Sequence, residues 1–232
     1  MYLTRFQINP RRRGAMKLLA NAQAMHAAVL HGFPDPSPTD TGRVLWRLDR
    51  VAEQRYLVIS SPAKPDLTHL VEQAGWPALG HGWDTAAMDT HLSGMAVGQR
   101  WAFRLTGNPV RALKPEDGAK RGKIVAHRTV EHQLGWLSRQ AEKHGFELAT
   151  HEVEAVEAET GNLITGEAQT TRVVRSELLR FPRDGRTVTV QAVDFDGVLQ
   201  VTDADRFRAA LRQGIGSARA YGCGLLTVAR IG

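Results

Sequence analysis

Thr171-Arg172-Val173-Val174-Arg175-Ser176-Glu177-Leu178-Leu179-Arg180-Phe181-Pro182-Arg183-Asp184-Gly185-Arg186-Thr187-Val188-Thr189-Val190-Gln191-Ala192-Val193-Asp194-Phe195 sets two β-rich arms on either side of an Asp-Gly pair. Such a pair between arms rich in Val, Thr and Phe predicts a β-hairpin, because a tight two-residue turn needs positive φ and Asp and Gly reach it at low cost. Asp196-Gly197, just past the second arm, reads as another tight turn. Asp203 then suits the N-cap of a helix carrying Phe207 and Leu211, and Leu225 to Ala229 reads as a closing strand. Upstream, Arg100 to Leu105 reads as a strand, and Thr129 suits the cap of a helix that turns Leu134, Leu137 and Ala141 inward before Gly145 ends it. The order is strand, helix, two strands, helix, strand, which is the ferredoxin-like pattern.

The amino-terminal half repeats that order. Tyr2, Thr4, Phe6 and Ile8 alternate with Leu3, Arg5 and Gln7 as a strand does. Asn21 suits an N-cap, Met25 and Val29 share one helix face, and Gly32 with Pro34 provides a stop. Val44 to Leu48 and Tyr56 to Ser60 read as strands, Asp66 caps a helix that runs to Gly75, and a fourth strand is expected near Met88 to Leu92. The predicted fold is therefore α+β: two tandem ferredoxin-like (RRM-like) domains, residues 1–95 and 98–232, joined near Ser93 to Gln99. Glu152 to Ala168, acidic and containing Gly and Thr, reads as an irregular insert or mobile loop.

Composition narrows the partners. No apolar run approaches membrane-spanning length and no signal segment opens the chain, so a cytoplasmic protein is expected. Cys223 is the single cysteine, which excludes an internal disulfide and a cysteine-based metal cluster; it reads as a small buried hydrophobe. A net charge of +6 and a pI near 9.9 suit a polyanion. Between Arg100 and Arg128 stand eight basic residues against Glu116 and Asp117, so the charge is clustered. The nine histidines show neither HExxH nor paired Cys/His spacing; no metal and no cofactor are expected.

Gly214-Ile215-Gly216-Ser217-Ala218-Arg219-Ala220-Tyr221-Gly222-Cys223-Gly224 packs four glycines and one arginine between the last helix and the last strand. Glycine-rich punctuation of this kind serves either as turn chemistry or as a loop whose amides converge on a phosphate, with Arg219 adding a fixed charge. Short stretches in fixed order accompany it: Met1 to Arg5, Leu19-Ala20-Asn21, Met25-His26, Leu45 to Leu48, Phe103-Arg104-Leu105 with Asn108-Pro109, Gly135-Trp136-Leu137, and Val190 to Val193 with Phe195-Asp196-Gly197. Together they resemble the CasE family, the type I-E CRISPR endoribonucleases that cut repeat RNA into guides, across nearly the whole chain.

That resemblance implies a metal-independent endoribonuclease that binds the stem-loop of CRISPR repeat RNA, cleaves at the 3′ base of the stem and leaves a 2′,3′-cyclic phosphate. It further implies no small-molecule cofactor, no membrane, and assembly with the other subunits of the Cascade complex. His26 occupies the place of the family's catalytic histidine, as acid or base, with Arg219 stabilising charge. Gln23, one helical turn before it, stands where members often carry tyrosine. Glutamine holds a phosphate or hydroxyl but transfers no proton; Tyr221 and Tyr2 are alternative sources of a phenol. For RNA binding the resemblance and the charge pattern point to Arg175, Arg180, Arg183 and Arg186 on the hairpin, to Lys120, Arg121 and Lys123 as a second basic wall, and to Gly214, Gly216, Ser217, Gly222 and Gly224 in the loop. Two rivals remain: a catalytically weak or inactive RNA hairpin-binding subunit, favoured by Gln23, and an enzyme that cradles a small nucleotide phosphate in the glycine loop.

Overall fold

Alternation at the amino terminus yields a strand with one buried face. A computed structural model describes residues 1–78, 80, 82–114, 122–156 and 163–231, and in it β1 (Tyr2–Ile8) buries Thr4, Phe6 and Ile8. Two short helices follow, α1 (Arg13–Ala20) and α2 (Ala22–Leu30). Asn21, extended at φ −140°, separates them, and its side chain accepts from the Gln23 and Ala24 amides at 2.9 and 3.2 Å. It thus ends one helix while capping the next. No capping side chain announces α1, which is held by burial of Ala15 and Leu18 and was not legible in the sequence.

The chain continues through β2 (Leu45–Val51), β3 (Gln54–Ser61), α3 (Thr68–Ala74), β4 (Trp83–Ala87) and α4 (Asp89–Ser93). The sheet order is β2-β3-β1-β4, antiparallel throughout. The fourth strand expected at Met88 to Leu92 lies earlier: residues 83–87 pair with β1, while Asp89 begins a short helix and binds the Met1 ammonium at 2.8 Å.

The second half runs β5 (Arg100–Gly107), β6 (Val110–Ala112), β7 (Ile124–Ala126), α5 (Val130–Lys143), β8 (Phe146–Leu148), β9 (Thr150–Val156), β10 (Leu163–Gln169), β11 (Arg172–Arg183), β12 (Arg186–Val201), α6 (Ala204–Gln213) and β13 (Leu226–Arg230). Its sheet, β11-β12-β5-β13, has the strand order of the first, so the molecule is two ferredoxin-like domains in tandem. Asp184-Gly185 makes the predicted turn, with both residues at positive φ. Asp196-Gly197 does not turn. Both lie inside β12, paired with Arg104 and Phe103, and Gly197 is required because a Cβ there would come within 2.6 Å of the Thr171 hydroxyl oxygen. The segment expected to be irregular is, in its described parts, a two-stranded ladder of β9 and β10.

Each domain has its own core, the first around Phe6, Met25, Val29, Leu57 and Ile59, the second around Phe103, Leu105, Trp136, Phe195 and Phe207. Cys223 is fully buried near Phe181, Val190 and Ala192, where desolvation pushes its thiol up to about 12. Among the described residues no helix is long and apolar enough to cross a membrane.

Strand alternation in β2 sends Trp46 into the first core and Leu45 and Arg47 toward the second domain, where Leu45 joins Val58 and Leu225 in an apolar patch. Arg47, only 3% exposed, spans the seam. It pairs with Asp49 through two bonds of 2.6 and 2.9 Å and donates to the Arg104 and Leu225 carbonyls and the Thr227 hydroxyl at 2.9–3.0 Å. Arg47→Met, which keeps bulk but strips every donor, is expected to lower unfolding free energy by about 3–5 kcal/mol in urea titrations, because Asp49 and two carbonyls lose their partner.

Candidate active site and nucleic-acid interface

The Asn21 cap fixes where α2 starts, and burial of Met25 and Val29 fixes its rotation. His26, half-buried, meets the indole of Trp46, whose Nε1 donates to its Nδ1 at 3.3 Å. An indole nitrogen only donates, so Nδ1 is the acceptor and the neutral ring carries its proton on Nε2. Desolvation lowers the His26 pKa, and the nearby charges of Arg43 and Arg183 lower it further. The imidazole is therefore neutral at neutral pH.

The glycine loop wedges into the seam beside this ring. Its four glycines have φ between +77° and +92°. Gly222 shows why a side chain is refused: a Cβ would come within 2.8 Å of the Trp46 ring. Gly214 lies equally close to Leu45, and Gly216 to Trp136. Gly214, Gly222 and Gly224 are buried, Gly216 is half-buried and Ser217 is exposed, its hydroxyl accepting from the Asn108 amide at 3.1 Å. Between left-handed Ala218 and Gly222, Arg219–Tyr221 forms a single 3-10 turn that packs against α2 and β2. Loop and helix thus meet, and the charge of Arg43 reaches both His26 and Arg219, while Arg219 in turn acts on His144.

Arg219 is half-buried and its Nε has no hydrogen-bond partner. Burial and Arg43 together depress its pKa, so its charge is held there at a cost. Among the described residues no carboxylate lies within 4.0 Å of Arg43 or Arg219. A partly desolvated cluster of guanidinium groups without carboxylate partners favours a nearby anion.

The β11–β12 hairpin folds over the same place. Phe181 packs on Tyr221 with ring centroids 4.8 Å apart, and Arg183 donates to the Tyr221 hydroxyl. Arg180 and Arg186 are exposed, whereas Arg175 is engaged by Asp194 at 2.7 Å and Glu177 at 2.9 Å. Lys123 is exposed beside β7; Lys120 and Arg121 lie outside the described residues. Gln23 sits in the first turn of α2, with its amide held by the Asn21 cap. Tyr2 lies elsewhere, on β1 beneath the Lys64 ammonium. Next to the site a cleft of about 740 Å³ opens between the domains, bounded by Trp46, Arg55, Arg104, Arg180 and Tyr221. Arg104, part of the basic tract read from the sequence, is bound to Asp196 there through two short bonds. Among the described residues no group of three metal-binding side chains occurs.

Sequence reasoning missed Arg43 and the role of Trp46. No motif surrounds Arg43, which the fold alone carries to the site. Trp46 did carry a signal, since it belongs to a stretch shared with the CasE family, but its task depends on where α2 lies.

A sequence profile described as CRISPR associated protein matches residues 1–230, and this chain belongs to that family. The CRISPR-associated endoribonuclease Cse3 of Thermus thermophilus is 32% identical over 238 residues, covering 99% of this chain and 100% of that protein. The Cascade subunit CasE of Escherichia coli is 29% identical over 142 residues, 58% of this chain and 60% of that one. The structure of T. thermophilus Cse3 bound to an RNA representing a pre-cleavage complex superposes with a TM-score of 0.74 at 31% identity, over 98% of each chain.

The site makes one prediction independent of any reaction. Titrated by NMR, the His26 ring should ionise below its ordinary 6.5, and Arg43→Ala should raise that midpoint by removing a repelling charge. Because the folded value is depressed, the stability carried by neutral His26 is present above the unfolded value and lost as pH falls through the folded one.

Proposed function

We propose that this chain is a metal-independent endoribonuclease that binds the stem-loop of CRISPR repeat RNA and cleaves at the 3′ base of the stem. The observation that carries the reading is the packing of the Arg219 turn on the His26 helix, with the charge of Arg43 reaching both side chains and neither Arg43 nor Arg219 paired with a carboxylate among the described residues, beside a basic hairpin. The 2′-hydroxyl attacks the adjacent phosphorus, giving a 2′,3′-cyclic phosphate and a 5′-hydroxyl. His26 handles a proton as acid or base, and Arg219 with Arg43 opposes the charge that builds on the phosphorane. Gln23 holds the scissile phosphate or hydroxyl by hydrogen bonding.

The stem lies along the hairpin, contacted by Arg180, Arg183 and Arg186, with Arg175 joining if its carboxylates yield, and Lys120, Arg121 and Lys123 supply further charge for its phosphates. In the loop, Ser217 and the Gly216 amide face the strand; Gly214, Gly222 and Gly224 shape the turn behind them. Residues 1–95 form the unit that brings His26, and residues 98–232 the unit that brings hairpin and loop. The protein works in the cytoplasm, retains its cleaved RNA and joins the other Cascade subunits. Gln23 also favours a second reading, an RNA-binding subunit that cuts weakly or not at all.

The test incubates the repeat hairpin of the source organism with the protein in EDTA. Cut product ending in a cyclic phosphate is expected, reduced about 10²-fold or more by His26→Ala. Loss of cleavage in chelator, or unchanged cleavage by the variant, overturns the mechanism, and tight binding without product across pH 6 to 9 selects the second reading. For the stem, Arg186→Ala should weaken binding equally for all stem sequences and flatten the plot of log affinity against log salt by roughly one unit, since one phosphate contact is lost.

A further inference from the structure

Cleavage through the 2′-hydroxyl needs two proton-handling groups, one for the attacking and one for the departing oxygen, and Gln23 is neither. We propose that Tyr221 is the second: its phenol, delivered by the glycine loop rather than by α2, protonates the 5′-oxygen as it leaves. The proposal rests on the nuclease reading above and names the residue that completes it.

Position comes first. Tyr221 ends the 3-10 turn that packs on α2, and its ring shares an apolar cluster with Ala22, the residue before Gln23. The next residue, Gly222, lies against Trp46, and Trp46 donates to His26. The loop beside Tyr221 is thus linked to the imidazole through one tryptophan. The other two tyrosines are committed elsewhere: Tyr2 lies on β1 under Lys64, and Tyr56 sits beneath Arg5 with its hydroxyl bound to Gln54.

The hydrogen bonding then assigns the role. Arg183 donates to the phenol oxygen through Nη1, and its Nε binds Asp184 at 3.3 Å. A phenol whose oxygen accepts from a guanidinium still has its own proton to give, and the same cation stands beside the phenolate that results. Arg183 also contributes to the field at His26, so one guanidinium serves both groups.

Each step balances. The 2′-oxygen bonds to phosphorus while its proton passes to His26; the bond from phosphorus to the 5′-oxygen breaks and that oxygen takes the Tyr221 proton. Imidazolium and phenolate then return to their starting forms by exchanging a proton through water. For His26 to accept at Nε2, its ring must first move its proton to Nδ1, giving up the long 3.3 Å bond from Trp46.

A substrate with sulfur in place of the bridging 5′-oxygen separates acid catalysis from structure, because a thiolate leaves without a proton. Tyr221→Phe keeps the ring on Phe181 and removes only the hydroxyl. On ordinary repeat hairpin it should lower the single-turnover rate about 10²-fold with RNA affinity unchanged, whereas on the sulfur substrate it should cut within about 3-fold of the unsubstituted protein. His26→Ala should stay slow on both. Adding Gln23→Tyr to Tyr221→Phe should recover part of the rate. A Tyr221→Phe variant that is unimpaired on ordinary RNA, or equally slow on both substrates, overturns the proposal while leaving the nuclease reading intact. Failure of the unsubstituted protein to cut either substrate overturns that reading itself.

Discussion

One buried guanidinium joins the two halves of this molecule. Arg47 leaves β2 at the point where strand alternation would otherwise place another apolar side chain, and it reaches carbonyls of β5 and of the segment entering β13. A charge so far from water is tolerable only because Asp49 neutralises it and each remaining donor finds an oxygen. An apolar residue there would pack against Leu45 and Leu225 with little directional preference. Arg47 instead fixes one relative placement of the two sheets, and with it the distance over which α2 and the carboxyl-terminal loop face each other.

That placement explains the glycine signature. Read as sequence, four glycines around one arginine suggest backbone pressed against phosphate. In the structure the missing side chains make room for protein: Leu45 and Trp46 from the first domain and Trp136 from the second. A Cβ at Gly222 would push the loop off Trp46 and carry Arg219 and Tyr221 away from α2. The glycines let the loop settle deep in the seam, and the polar side chains it carries there are Ser217, Arg219 and Tyr221.

What the sequence revealed followed from local rules. Alternation gave β1, the Asp-Gly pair gave the long hairpin, and Asn21, Thr129 and Asp203 each cap the helix assigned to them. Errors arose where a local rule met a tertiary demand. Asp196-Gly197 has the composition of a turn, yet its glycine answers to crowding by Thr171 across the sheet. α1 lacks a capping side chain and is fixed by what it buries. His26 and Arg219 were singled out as candidates through family resemblance and motif. Arg43 was not, because a charge becomes part of a site only when folding brings it near, and no spacing rule links residues 43 and 219.

The electrostatics bear on why such an enzyme would keep its product. Burial, with Arg43 and Arg183 nearby, lowers the proton affinity of half-buried His26, and burial with Arg43 lowers that of Arg219. These charges repel one another in partly desolvated surroundings, and a phosphate held among them would relieve the repulsion whether it is a diester or a cyclic phosphate. On the proposed reading, product and substrate would be held by nearly the same field, together with stem contacts that cleavage does not change. Uniform binding of this kind gives no help to turnover. It suits a protein whose cut RNA remains attached, with the differential stabilisation left to the few groups that touch the reacting oxygens.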